Sequence, residues 1–286
     1  MTAKLSEPEP TLAARLGRLD ARLRELGSVL VAFSGGADSA FLLAAAVRAL
    51  GADAVAAATA VSPSLPAHEL AAAGEFAASL GVRHLTPTTD ELASDGYRAN
   101  AGDRCFFCKA ELLDVLDPLA RNLGLAHVAT GTNADDARAG FRPGIRAAAE
   151  RGAVTPLLDA GLTKADVRAA SRRWSLPTWD KPAAACLSSR IAYGVTITSH
   201  RLARVEHAEV ALRQALAAAG IEVRDLRVRD LGDRARIEVD PQLVDTVAAR
   251  PDLLAAVAGF PAVEVDRRGF RSGSMNELLP DQARWR

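Results

Sequence analysis

A parallel α/β fold followed by a smaller α+β domain is what this sequence predicts, on three observations. Short apolar strands alternate with helices through the first two thirds of the chain. A stretch rich in Pro, Ser and Gly, without period, interrupts the chain at 179–198. Beyond it the order becomes helix, strand, strand, helix, strand. With 286 residues, one large and one small domain are expected, at 1–190 and 191–286.

The elements follow in order. Leu12, Leu16, Leu19, Leu23 and Leu26 recur at spacings of three and four, so 11–26 is an amphipathic helix. Residues 28–33 (SVLVAF) read as a buried strand, 34–39 as a glycine turn and 40–50 as an apolar helix. Strands are expected at 54–61, 82–86 and 127–130, with helices near 66–80, 104–123 and 164–174. This alternation implies a parallel sheet with helices on both faces. In the smaller domain we expect a helix at 199–219, strands at 221–229 and 234–240, a helix at 241–258 and a last strand at 262–266.

Composition narrows the function. Hydrophobic residues at 49% and charged residues at 24% are globular values. Thirty-five Lys plus Arg balance 35 Asp plus Glu, so no overall field steers the chain toward nucleic acid or an anionic membrane. The start, MTAKLSEPEP, lacks the apolar core of a signal peptide, and no run approaches the roughly 20 apolar residues of a membrane span. A cytoplasmic protein is expected. Three cysteines do not make a secreted disulfide framework, so they are read as free thiols, metal ligands or sulfur carriers.

The turn Ser34-Gly35-Gly36-Ala37-Asp38-Ser39 lies where a strand passes into a helix, so backbone N–H groups and the helix N-terminus converge on a spot that favours an anion. The glycines admit close approach of phosphate oxygens, Ser34 and Ser39 can donate, and Asp38 can cap the helix or hold Mg²⁺. An ordinary capped glycine turn is the bland alternative. Neither a Walker loop nor G-x-G-x-x-G is present. SGGADS resembles the PP-loop signature of ATP pyrophosphatases, which implies a nucleotide α-hydrolase-like fold and adenylation of a substrate by ATP. A second segment, Thr130-Gly131-Thr132-Asn133-Ala134-Asp135-Asp136, follows the last strand of the large domain, where open sheets place ligands. Its carboxylates and amide suit Mg²⁺ or ribose, or are plain turn residues.

Cys105 and Cys108 form a C-x-x-C in which Asp103 is a candidate N-cap. The helix N-terminus, Arg104 and Lys109 are expected to lower the thiol pKa values. A redox disulfide, half a zinc site and two core thiols all remain open for the pair. Cys186 lies in KPAAACLSSR, read either as a buried apolar thiol or as a third ligand. Three thiolates leave one corner of a four-iron cluster without a protein ligand, and an open iron there can carry an extra sulfur.

SGGADS, TGTNADD with Phe141-Arg142-Pro143-Gly144, KPAAACLSSRIAYG and the C-terminal GFRSGSMN (269–276) together resemble the LarE family over about residues 10–280. LarE proteins are ATP-dependent sulfur transferases of nickel-pincer nucleotide biosynthesis, serving lactate racemase maturation. They convert pyridinium-3,5-biscarboxylic acid mononucleotide to thiocarboxylates. One kind sacrifices the cysteine at the position of Cys186; the other adds a C-x-x-C pair and uses an iron–sulfur cluster. Cys105 and Cys108 align this chain with the second.

The resemblance implies a [4Fe–4S] cluster on Cys105, Cys108 and Cys186, and ATP with Mg²⁺ at Ser34, Gly35, Gly36, Asp38, Ser39, Gly131, Asn133 and Asp135. It implies substrate contacts at Ser189, Arg190, Glu209, Arg227, Arg229 and Glu238. On pattern alone, Arg227 and Arg229 with Arg236 and Glu238 also fit a solvated sheet face of ion pairs. Further implications are a small-molecule nucleotide substrate, a homo-oligomer, and other nickel-pincer biosynthesis proteins as partners. The rivals are a tRNA-thiolating PP-loop enzyme, which the balanced charge and 5% aromatic content disfavour, an amidating ligase, and a nucleotide sensor that leaves ATP intact.

Overall fold

The computed structural model describes residues 11–138, 143–182, 186–271 and 273–279. Phe141 and Arg142, the alanines 183–185 and Ser272 of the quoted motifs lie outside the described residues.

The first sheet is built from β1 (Val29–Ala32), β2 (Val55–Ala58), β3 (Arg83–Leu85) and β4 (His127–Ala129). All pairs are parallel and the order is β3-β2-β1-β4. β1 and β2 are buried at every position, as central strands covered on both faces must be. Alternation divides β1 between two cores. Val29 and Val31 pack with α1 (Leu12–Leu26), α2 (Ala37–Leu50) and α3 (Ala67–Ser79). Leu30 and Ala32 face the other side, toward Leu113, Leu116 and Ala120 of a long helix that begins at Arg104.

Between β3 and that helix lies the short α4 (Asp95–Arg98). The long helix is α5 (Arg104–Asn122), and after β4 come α6 (Ala134–Arg138), α7 (Pro143–Glu150), α8 (Pro156–Asp159) and α9 (Lys164–Arg173). Local chemistry sets the helix ends. The Thr11 hydroxyl accepts from Ala14 N–H to open α1, and Thr163 with Asp166 forms a reciprocal capping box on α9. Arg15 of α1 reaches Asp166 at 2.5 Å, tying the two helices together.

A second sheet, ordered β5-β6-β7, comprises β5 (Leu226–Asp230), β6 (Ala235–Val239) and β7 (Val263–Val265). β5 and β6 are antiparallel, and β6 and β7 parallel. α10 (Ser199–Ala218) precedes it, capped by Thr198, and lays Ala208, Leu212 and Leu216 on Leu226, Val228 and Ile237. The earlier half of α10 gives Leu202 and Val205 to a separate cluster with Tyr97, Leu187 and Ile191, which joins the halves of the chain.

Two expectations need correction. The strand foreseen from 221 starts only at Leu226, because the N–H groups of Arg224 and Asp225 are held by the Asp240 carboxylate at 2.7 and 3.2 Å. The helix foreseen over 241–258 is broken into a 3-10 turn, α11 (Val244–Ala248) and α12 (Pro251–Ala255). Pro251 lacks an N–H and forces Arg250 into an extended conformation. Among the described residues, no helix is long and apolar enough to cross a membrane.

Candidate functional site

β1 delivers the chain to the glycine turn at the carboxyl edge of the sheet, where Phe33 N–H still bonds Ala58 O at 2.8 Å. Gly35 takes φ 71°, a conformation that glycine adopts without strain. α2 starts with Gly36 as its N-cap and no side-chain cap, so its first N–H groups remain directed at the turn. The Ser34 and Ser39 hydroxyls lie 3.1 Å apart, and Ser39 also donates to Gly36 O at 3.1 Å. Ser34, Gly36, Asp38 and Ser39 line a cavity of about 720 Å³.

The loop after β4 enters the same cavity. A Cβ on Gly131 would meet Ser39 N at 2.9 Å and Ser39 Cα at 3.0 Å, so only glycine lets the two loops touch. Asn133 is fully buried; its Oδ1 accepts from the N–H groups of Asp135 and Asp136, capping α6. Asp135 is turned toward the N–H of Lys164 at 2.8 Å, so Asp136, not Asp135, lines the cavity.

Asp38 Oδ1 and Asn133 Nδ2 are buried without completing a hydrogen bond, although the two side chains face one another. Burial raises the Asp38 pKa and the Asp136 charge adds to the rise, while Lys164, Asn133 and Arg168 oppose it. Two facing carboxylates, one with an unpartnered oxygen, fit Mg²⁺, which takes one or two protein carboxylates and completes its shell with phosphate and water.

The three cysteines come from two segments. Cys105 is exposed, and Cys108 and Cys186 are half-buried. Asp103 occupies the N-cap of α5, as the sequence suggests, without making a side-chain cap bond. Burial first, then the nearby Cys186 and Glu91, push the Cys108 thiol up; Lys109 is too weak to reverse this. The lowered pKa foreseen for this thiol is therefore corrected. Lys109 is itself lowered by burial, with the two neighbouring thiols acting in the opposite sense, and it lines the cavity at the glycine turn.

The turn after Cys186 is held from several sides. Leu187 N–H bonds Ser64 O at 2.8 Å, Ser188 O accepts from Arg104 at 3.0 Å, and Ser189 O accepts from Arg229 at 3.2 Å. The Ser188 hydroxyl also bonds the Tyr97 hydroxyl, and Arg190 donates twice to Glu209 at 2.9 and 3.2 Å.

Among the described residues, no group of three side chains closes on a single metal ion. A four-iron cluster spaces its thiolates more widely than one ion does, and thiolate is its proper donor. Cys108 senses the charge of both Cys105 and Cys186, so the three thiols are neighbours, and thiolates are donors that a cluster or a zinc ion takes.

Beside the cavity at the glycine turn lies a basic one of about 470 Å³, lined by Arg190, Arg213, Arg224, Arg227, Glu209 and Lys181. Lys181, Pro182 and Arg224 line both cavities. Arg227 and Arg229 share one face of β5 and are buried, as are Arg190, Glu209 and Glu238. The solvated-face alternative is thus replaced by a buried charge network. Arg229 pairs with Glu238 at 2.6 Å, bridged by Ser274, and Glu209 also accepts Val228 N–H at the edge of the sheet. Arg236 turns away to Glu264. Burial, then the Arg190 charge, lower the Arg227 pKa to about 10, while Glu209 opposes the shift.

Sequence reasoning missed Lys109, Lys164, Arg168, Lys181 and Arg224. The spacing of Lys164 and Arg168, one turn apart at the start of a helix after the second loop, is the signal that could have found two of them. Lys181 Nζ donates to Gly35 O at 3.0 Å and to Glu69 at 2.6 Å, a contact that no local pattern encodes.

No family model matches the chain. An uncharacterised protein of Synechocystis is 42% identical over 273 residues, covering 94% of this chain and 99% of that protein. Pyridinium-3,5-bisthiocarboxylic acid mononucleotide synthase of Lactiplantibacillus plantarum is 36% identical over 272 residues, covering 94% of this chain and 96% of the synthase. A Methanocaldococcus jannaschii protein, also uncharacterised, is 26% identical over 60% of this chain. Near-complete coverage at this identity, joined to a parallel sheet whose glycine turn and second loop meet at Gly131, makes the chain a member of the LarE family and an enzyme of its sulfur-transferase class.

Proposed function

We propose that this enzyme adenylates a carboxylate of pyridinium-3,5-biscarboxylic acid mononucleotide with ATP and replaces an oxygen of that carboxylate with sulfur. Residues 1–190 supply most of the ATP site, and residues 191–286, with Lys181, Ser189 and Arg190 from the first part, supply the substrate site. The observation that carries the reading is the pair of adjoining cavities, one at the glycine turn and one lined by arginines, with Lys181 and Arg224 common to both. ATP lies on Ser34, Gly35, Gly36 and Ser39, and Asp38 with Asp136 holds Mg²⁺, which screens the triphosphate charge. The arginine pocket takes the substrate phosphate, for which buried guanidinium groups are the suited donors.

In the first half-reaction a carboxylate oxygen forms a bond to the α-phosphorus while the bond to pyrophosphate breaks, and the glycine-turn N–H groups hold the departing charge. In the second, sulfur bonds to the acyl carbon and the C–O bond to AMP breaks. When bound on Cys105, Cys108 and Cys186, a [4Fe–4S] cluster supplies an open iron that carries the donated sulfur.

Anaerobic purification with iron and sulfide analysis, then mass spectrometry of protein and substrate after incubation with ATP, tests this. Iron, AMP and repeated thiocarboxylate formation are expected. Sulfur lost from Cys186 without iron replaces the cluster route by sacrifice. AMP formed with tRNA and not with the pyridinium nucleotide defeats the substrate assignment.

A further inference from the structure

The turn after Cys186 and the C-x-x-C helix are joined through Asn100, which lies outside every motif above, and Arg104, which precedes Cys105. Asn100 is fully buried at φ 51°, a left-handed conformation that costs a side-chain-bearing residue some strain. Its amide donates to Ile191 O at 3.3 Å, Ala192 O at 2.8 Å and Val195 O at 3.0 Å, all just beyond the Cys186 turn. Its Oδ1 accepts from Arg104 at 2.6 Å.

Arg104 adjoins Cys105 in the first turn of α5, is buried, donates to Ser188 O, and lies 5.4 Å over the Tyr193 ring. No carboxylate pairs with it among the described residues. A buried guanidinium without a carboxylate is a poor stabiliser, so a role in placing its neighbours accounts better for it. Bonded to Ser188 O two residues after Cys186 and carried on the turn that bears Cys105, the guanidinium lies between the cysteine-bearing segments.

We propose that Asn100 and Arg104 are positioning residues that clasp the Cys186 turn to the C-x-x-C helix, setting the geometry of sulfur transfer without taking part in adenylation. The proposal rests on the functional reading above only for its second clause. A small misplacement of reacting groups costs orders of magnitude in rate, so the clasp acts on the thiol-dependent half alone.

The test uses the full chain, freed of iron, with Asn100→Gly, Arg104→Gln and Arg104→Lys variants. Glycine keeps the left-handed backbone while removing the amide, and lysine keeps the charge while losing the fork. A short bis-maleimide reports, by peptide mass spectrometry, the yield of crosslinks between Cys186 and the C-x-x-C pair. AMP formation and urea unfolding are read in parallel.

Crosslink yield and thiocarboxylate formation are expected to fall about tenfold in Asn100→Gly and Arg104→Gln, less in Arg104→Lys, with AMP formation within about twofold of wild type. Unchanged crosslinking overturns the proposal. So does a matching loss of AMP formation, which would mean that the pair merely supports the fold. A wild-type protein that forms no AMP with the pyridinium nucleotide defeats the functional reading instead, because crosslinking is read without turnover.

Discussion

Gly131 shows how one missing methyl group decides whether two loops can share a ligand. Its Cβ would lie 2.9 Å from Ser39 N, against backbone that cannot swing aside. Gly131→Ala should destabilise the protein by about 1–3 kcal/mol and raise the KM for ATP, measured by urea denaturation and steady-state kinetics. Asp38 makes an opposite case. Its folded pKa is raised above the ordinary 3.8, so the folded state binds its proton more tightly, and stability is lost as pH rises from that value through the folded one. Asp38→Asn should therefore raise the melting temperature of the ligand-free protein at pH 7, the gain vanishing below the ordinary aspartate value, while weakening Mg²⁺-dependent ATP turnover. Glu238→Ala leaves Arg229 buried without its carboxylate and should cost about 3–5 kcal/mol, whereas Glu238→Gln, which keeps the shape, should cost less. At this scale the sequence was partly legible. Glycine, serine and cysteine announce chemistry by their type, but Asn100 and Arg104 do not, because their role lies in partners some ninety residues away.

Elements were read best where periodicity and punctuation agree. β1 and α2 follow the apolar pattern, and Gly35 and Gly36 mark their junction. The failures arose where a side chain or a proline overrode the pattern: Asp240 holds the chain ahead of β5, and Pro251 interrupts the helix that alanine and leucine propose. α10, expected at 199–219, runs over Ser199–Ala218, although its two halves serve different cores and its apolar residues form no single stripe. Leu212→Ala, in the half beneath the second sheet, should cost about 2–5 kcal/mol on urea denaturation. Glu209, three residues before it on the same helix, satisfies both Arg190 and Val228 N–H, so α10 carries core packing and pocket electrostatics together.

For the whole molecule, neutrality conceals strong local separation of charge. Equal numbers of acidic and basic residues leave no net charge, yet Arg190, Arg213, Arg224 and Arg227 gather at the smaller cavity. Under the proposed function pyrophosphate occupies the glycine turn, so at a hundred times its dissociation constant it should stabilise the chain by about 2.7 kcal/mol, and thermal unfolding would read the shift. The wall between the cavities has a pharmacological consequence. Lys181, Pro182 and Arg224 belong to both chambers, so a single molecule made of an adenosine end, an inert linker and an anionic aromatic end can lie across that sill. Its second end docks at a high effective concentration once the first is seated, and such a bisubstrate mimic should inhibit far better than either end alone.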